Sequence, residues 1–231
     1  MRCLMTAMAS IAAGVILAGG SVRAEDIRSV RAIEFRGLTL LSKYDIIRGT
    51  RLKASGEGIV IDVDSLENSL AGNPFVASHR VKESGGRLVV TVEERTPEWI
   101  VTAPERRGRV MCEVDAGGRI ISRNDPHTAK VPVLHLGDTD LSSPGVPAEV
   151  RWVMDLLARV KASDPLTYGE LSEIYIGGGR LRIYARGRRT EFIVRPVIGD
   201  FVALRHLIGI CDHAKRHPGK VILGDHAAII R

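Results

Sequence analysis

VEERTPEWIV, residues 92–101, is the stretch on which the organisation of the chain turns. Apolar and polar residues alternate up to Val92 and then stop at a Thr96-Pro97 step. A strand pattern restarts on Glu98-Trp99-Ile100-Val101. Proline has no N–H to give to a sheet ladder, so strand pairing breaks there. The joint is expected to be where one domain hands the chain to the next, with Arg95, Thr96 and Pro97 as the domain hinge. Glu93, Glu94 and Arg95 are expected to serve as hinge and surface charges; the competing reading makes them catalytic groups at the lip of an active site.

Upstream of the joint, residues 29–36 alternate apolar and polar until Gly37, the pattern of a half-buried strand. Ser42 with Asp45 three residues later predicts a capped short helix. Asp64-Ser65-Leu66-Glu67 resembles a capping box opening a second helix, which Gly72-Asn73-Pro74 ends. Residues 76–82 and 87–92, joined through Ser84-Gly85-Gly86, predict a hairpin. The first unit thus reads strand, helix, helix, strand, strand.

Downstream, short strands are predicted over 99–102, 109–114 and 119–122, and at Val131-Pro132-Val133-Leu134, where Pro132 suggests a sheet edge. Pro147 opens a helix whose buried stripe is Val150, Val153, Met154, Leu157 and Val160. A meander with glycine turns follows over residues 173–194. A long helix is predicted from Gly199-Asp200 to about His217, and two last strands at 220–223 and 227–230.

Composition narrows the function classes. The 231 residues are 45% hydrophobic but only 4% aromatic, so the cores must be built from Val, Ile, Leu and Ala. The net charge is +6 and the pI about 9.5, which invites anionic partners. The arginines scatter along strands, so the expectation is a solvated basic surface with no nucleic-acid partner. At the N-terminus, Arg2 precedes an uncharged stretch, residues 3–22, followed by Arg23-Ala24 and acidic Glu25-Asp26. A positive start, an apolar middle and a small-residue site spell an export signal. The stretch, with Leu4, Met8, Ile11, Val15, Ile16 and Leu17, also has the length of a thin membrane span. A cleaved signal and a retained anchor both fit, and both put the bulk of the chain outside the cytoplasm. There Cys112 and Cys211 have one possible bridge, or stay free.

No nucleophile elbow or phosphate loop is present. Asp62 and Asp64 lack the glycine and distal acid of a calcium loop and are expected to cap a helix. His206, His213 and His217 are expected on one outward helix face, as solvated side chains rather than a metal site. No catalytic residue, cofactor, metal or small-molecule substrate is assigned.

Val92-Glu93-Glu94-Arg95-Thr96-Pro97 resembles the V-x-E-R-x-P step of the FtsQ/DivIB family of bacterial division proteins. Ile33 to Gly37 with Ser42 to Ile46, Asn73-Pro74-Phe75-Val76, Val114-Asp115 with Gly118 to Ile121, and Val131 to Leu134 with Gly137 are similar to further segments of that family in the same order. The resemblance implies an α+β chain: an N-terminal POTRA domain (βααββ) at 27–96, then a curved antiparallel β domain with helices on one side at 97–231, after a signal peptide or signal anchor at 1–24. It implies a non-catalytic, single-pass inner-membrane scaffold of the divisome with its bulk in the periplasm. It also implies an open terminal edge, Ala227, Ala228, Ile229, Ile230 and Arg231, to which FtsB/FtsL-like partners add a strand. Residues 227–230 are uncharged, which suits strand addition; an ordinary terminal strand buried by its neighbours is the other reading. The alternative function is a POTRA-bearing periplasmic module for outer-membrane protein assembly or secretion.

Overall fold

The computed structural model describes residues 26–224 and 228–230, apart from 57, 107, 129 and 216. Leu4, Met8, Ile11, Val15, Ile16 and Leu17, expected to form a membrane segment, lie outside the described residues, as do Ala227 and Arg231 of the expected partner-binding edge. The fold is mixed α+β and mostly sheet.

The first part of the chain forms β1 (Ile27–Val30), β2 (Ala32–Arg36), α1 (Lys43–Ile47), β3 (Leu52–Ser55), β4 (Gly58–Asp62), α2 (Val63–Gly72), β5 (Val76–Ser84) and β6 (Arg87–Glu94). Ser42 and Asp45 complete a capping box on α1, each side chain bonded to the other's backbone N–H. The cap of α2 is Asp62, whose carboxylate accepts from Ser65 N at 3.2 Å. The helix therefore starts before the Asp64-Ser65 pair that pattern reading favoured. Gly85 (φ +59) and Gly86 (φ +70) turn the β5–β6 hairpin, a conformation that L side chains resist.

Two small sheets result, β1-β4-β3 and β2-β6-β5. The strand expected over 29–36 is split at Arg31, whose N–H goes to Gly86 O at 2.8 Å, so its halves enter different sheets. The β3–β4 hairpin between the helices was not expected. All four β3 residues are exposed, so no apolar alternation marks the strand.

The second part forms β7 (Pro97–Glu105), β8 (Gly108–Asp115), β9 (Ile120–Arg123), β10 (Val133–His135), α3 (Ala148–Ser163), α4 (Pro165–Glu170), β11 (Leu171–Gly177), β12 (Arg180–Ala185), β13 (Glu191–Val194), α5 (Ile198–Ala214), β14 (Lys220–Leu223) and β15 (Ala228–Ile230). The strands make one sheet in the order β15-β14-β13-β12-β11-β10-β7-β8-β9. It is mixed, not antiparallel: β10 runs parallel to both β7 and β11, and β13 parallel to β14. Pro132 does not mark an edge. It sits just before β10, where its carbonyl accepts from Ile100 N at 3.1 Å, and β10 itself is central. A proline is harmless at the entry to a strand because it removes no donor from the ladder beyond it.

Alternate residues of these strands, such as Val101, Leu134, Ile174, Ile183, Phe192 and Val221, share one core with the buried faces of α3 and α5, so the helices cover one side of the sheet. A separate core holds residues 30–92. The helix α5 ends at Ala214, where Lys215 takes a left-handed conformation (φ 50). His217 is thus beyond the helix, and the expected three-histidine face is reduced to exposed His206 and His213.

Candidate interaction surface

The joint is held by bonds on both sides. Arg95 N donates to Phe75 O at 2.7 Å, and Arg95 Nη1 lies 2.9 Å from Asp115 Oδ2, at the end of β8. The second Asp115 oxygen accepts from Gly117 N and Arg119 N, each at 2.9 Å, so one carboxylate shapes the β8–β9 turn and receives Arg95. Pro97 opens β7 opposite Asp115, Thr96 is exposed, and Glu93 accepts from Ser78 Oγ at 2.8 Å. A second contact crosses nearby: the Phe75 ring meets the His127 ring edge-on at 5.0 Å. His127 is held by Glu113, a fully buried carboxylate that also accepts from Ser122 Oγ and from the N–H groups of His127 and Thr128.

Glu94 is a partly exposed charge with a structural role. Its carboxylate accepts from Thr39 N (3.0 Å), Thr39 Oγ1 (2.5 Å), Leu40 N (2.7 Å) and Leu41 N (2.9 Å), closing the loop between β2 and α1. Partial burial works to raise its pKa, but these hydrogen bonds outweigh it and hold the carboxyl below the ordinary glutamate value. A group whose folded pKa is depressed stabilises the fold above its unfolded pKa. That contribution is lost as pH falls through the folded value. Glu94→Ala is expected to cost about 1–2 kcal/mol in urea unfolding at neutral pH. The difference from wild type should shrink on acidification; a difference that grows would refute the assignment.

The terminal strand β15 is outermost in the large sheet, antiparallel to β14 through the pairs Val221–Ile230, Ile222–Ile229 and Leu223–Ala228. Among the described residues no strand pairs with its other side. The opposite edge differs. There the start of β9 is capped by its own chain, with Ile120 N donating to Pro144 O at 2.9 Å and a bridge between Arg119 and Gly145 just before the strand. Edge strand β5 carries Arg80, Lys82 and Glu83, charges that discourage pairing with another chain. The strand β15, Ala-Ile-Ile, carries none.

The chain matches no protein-family model and no curated protein.

Other candidate residues fall into structural roles. Asp64 accepts from Asp26 N at 3.4 Å. Cys112 and Cys211 are buried free thiols, on β8 and α5, and burial pushes the Cys112 thiol up, away from the reactive thiolate. No group of three or more metal-ligating side chains occurs among the described residues.

Strand alternation also assembles a polar row on the sheet face away from the helices, which pattern reading did not foresee. Arg109 donates to Thr102 Oγ1, Thr102 Oγ1 meets His135 Nδ1 at 3.1 Å, and Glu173 Oε2 bonds both His135 Nε2 and Tyr175 Oη at 3.0 Å. Burial lowers the pKa of His135, against the opposing pull of Glu173. Tyr175 stacks on His135 with centroids 4.0 Å apart and carries Arg182 at 4.9 Å from the adjoining strand. Its ring is thus engaged from both neighbouring strands.

Proposed function

We propose that this chain is a non-catalytic, membrane-associated scaffold of the bacterial divisome, of the FtsQ/DivIB kind, that captures FtsB/FtsL-like partners by strand addition to β15. The observation that carries the reading is the state of the terminal edge. The strand β15 ends a nine-stranded sheet, is uncharged and is paired on one side only among the described residues, whereas β9 is capped at its start and β5 is charged. An unpaired edge offers N–H and C=O groups in register for an incoming strand.

Two further features support it. Among the first eight elements, β2, α1, α2, β5 and β6 come in the strand-helix-helix-strand-strand order expected of a POTRA domain; β1 and the β3–β4 hairpin, which form a sheet of their own, are additional to it. The glutamate and arginine of the V-x-E-R-x-P step have distinct bonded partners, the 39–41 loop and Asp115. The membrane attachment is assigned to the apolar stretch at residues 3–22, leaving the two folded units in the periplasm. No helix of the described residues is long and apolar enough to cross a membrane.

Pull-down of a tagged full-length chain against one ending at Leu223 tests the edge. Truncation is expected to reduce capture of FtsB/FtsL-like partners at least about tenfold, the equivalent of losing about 1.4 kcal/mol. Unchanged capture would remove β15 from the interface.

A further inference from the structure

The polar row on the open face of the large sheet fixes where its protons point. Arg109 Nε and Nη2 donate to Thr102 Oγ1 at 3.2 and 2.8 Å. A hydroxyl has two lone pairs and one proton. Both lone pairs are taken, so the Thr102 proton goes to the remaining neighbour, His135 Nδ1, at 3.1 Å. His135 Nδ1 is therefore the acceptor, and Nε2 carries the proton donated to Glu173 Oε2 at 3.0 Å. The ring is neutral and held in one tautomer. Burial, and the Arg109 charge with it, keep its pKa below the ordinary histidine value against the pull of Glu173.

The same arginine is a clamp. Arg109 Nη2 also donates to Thr102 O and to Leu136 O, each at 3.3 Å, tying the start of β8 to β7 and to the exit of β10. The strand β10 has three residues, and just beyond them Leu136 N donates to Thr102 O at 2.8 Å. A second proton on His135 has to sit on Nδ1, where it points at an oxygen with no lone pair to spare. Thr102 accepts it only by turning its own proton away and giving up a bond from Arg109, and the new charge repels the guanidinium. Arg109 is an exposed residue, so water can take the displaced donor. The other groups facing the ring do not oppose this. Glu173 stays on Nε2, Tyr175 stacks on the ring and donates to Glu173, and Tyr184 meets Tyr175 edge-on. Arg182 lies across the Tyr175 ring and has Glu191 at 3.6 Å.

We propose that His135 is a proton-operated release: taking a proton at Nδ1, it displaces Arg109 from Thr102 and frees the exit of β10. The ring has a path to solvent, its side chain being 17% exposed. The device is independent of β15 and of membrane attachment.

The test follows nitrogen-15 histidine spectra and amide exchange of the full chain together, between about pH 8 and pH 5. His135 is assigned by its absence from the His135→Asn chain, which keeps an acceptor for Thr102 and does not titrate. The neutral ring is expected as the Nε2–H tautomer. As it takes its second proton, protection of the Leu136 amide, corrected for the intrinsic effect of pH, should fall at least about tenfold while β12 amides keep theirs. His135→Asn should hold Leu136 protection constant. Arg109→Leu has no clamp to release, so Leu136 should be poorly protected at every pH and His135 should bind its proton at least about threefold more tightly. Leu136 protection that ignores the His135 titration, or that falls as steeply in His135→Asn, overturns the release. So does an Nδ1–H tautomer, or a ring that stays neutral to about pH 5. Should His135→Asn lose its β12 protection, Arg109→Leu decides, and a pH-dependent fall retained there overturns the release.

Discussion

Gly37→Ala is expected to unfold the first unit, at a cost above about 3 kcal/mol. Gly37 follows β2 with φ +83, a left-handed conformation that disfavours any residue with a Cβ. The steric problem is larger still. A Cβ there would lie 2.1 Å from Val92 O, far inside van der Waals contact. Val92 belongs to β6, which pairs with β2 on one side and β5 on the other, so the obstructing carbonyl has nowhere to retreat without parting a ladder. Gly72 is the control. Nothing lies within 4 Å of its Cβ position at the end of α2, so Gly72→Ala should be neutral or stabilising by up to about 1 kcal/mol. The chain has two tryptophans, Trp99 and Trp152, both in the second unit. Loss of the first unit should therefore show in far-ultraviolet circular dichroism before tryptophan fluorescence changes. A Gly37→Ala chain that unfolds like wild type by both signals would refute the close approach.

Asp115→Ala is expected to destabilise by about 2–4 kcal/mol and to loosen the joint. The substitution removes the acceptor for Gly117 N and Arg119 N and leaves Arg95, whose side chain is only 23% exposed, without its carboxylate. Asp115→Asn keeps an oxygen acceptor and should cost less. Arg95→Met removes the charge but not the turn, so its cost should be smaller than that of Asp115→Ala. A double-mutant cycle between Arg95→Met and Asp115→Ala in urea unfolding isolates the cross-joint pair, with a coupling of about 1–2 kcal/mol expected. Coupling indistinguishable from zero would mean that the two units do not depend on this contact.

The two predictions bear on the same stretch, and they show where sequence reading ran out. The break at Thr96-Pro97 was legible because it rests on local facts, an alternation that stops and a residue with no N–H. The β5–β6 hairpin was legible through Ser84-Gly85-Gly86, and α1 through Ser42 and Asp45, for the same reason. The roles of Glu94 and Arg95 were not. The donors to Glu94 lie more than fifty residues away and the partner of Arg95 twenty. A charged side chain reads alike whether it is solvated or closes a loop. The β3 strand escaped because Leu52, Lys53, Ala54 and Ser55 are all exposed and leave no apolar alternation. Pro132 misled because its effect depends on where the strand starts. His217 misled because the helix stops at a left-handed lysine, a position more usual for glycine.

What the sequence determined by itself was periodic or nearest-neighbour: strand alternation, helix caps, glycine turns and the apolar start of the chain. Side-chain spacing and backbone chemistry operate within a few residues, so they are written locally. Tertiary structure alone decided which strands meet, that β10 lies parallel between β7 and β11, and that β15 ends the large sheet on one side and β9 on the other. Those outcomes depend on pairing between distant segments, and the free energy of such pairing resides in contacts that no local pattern encodes.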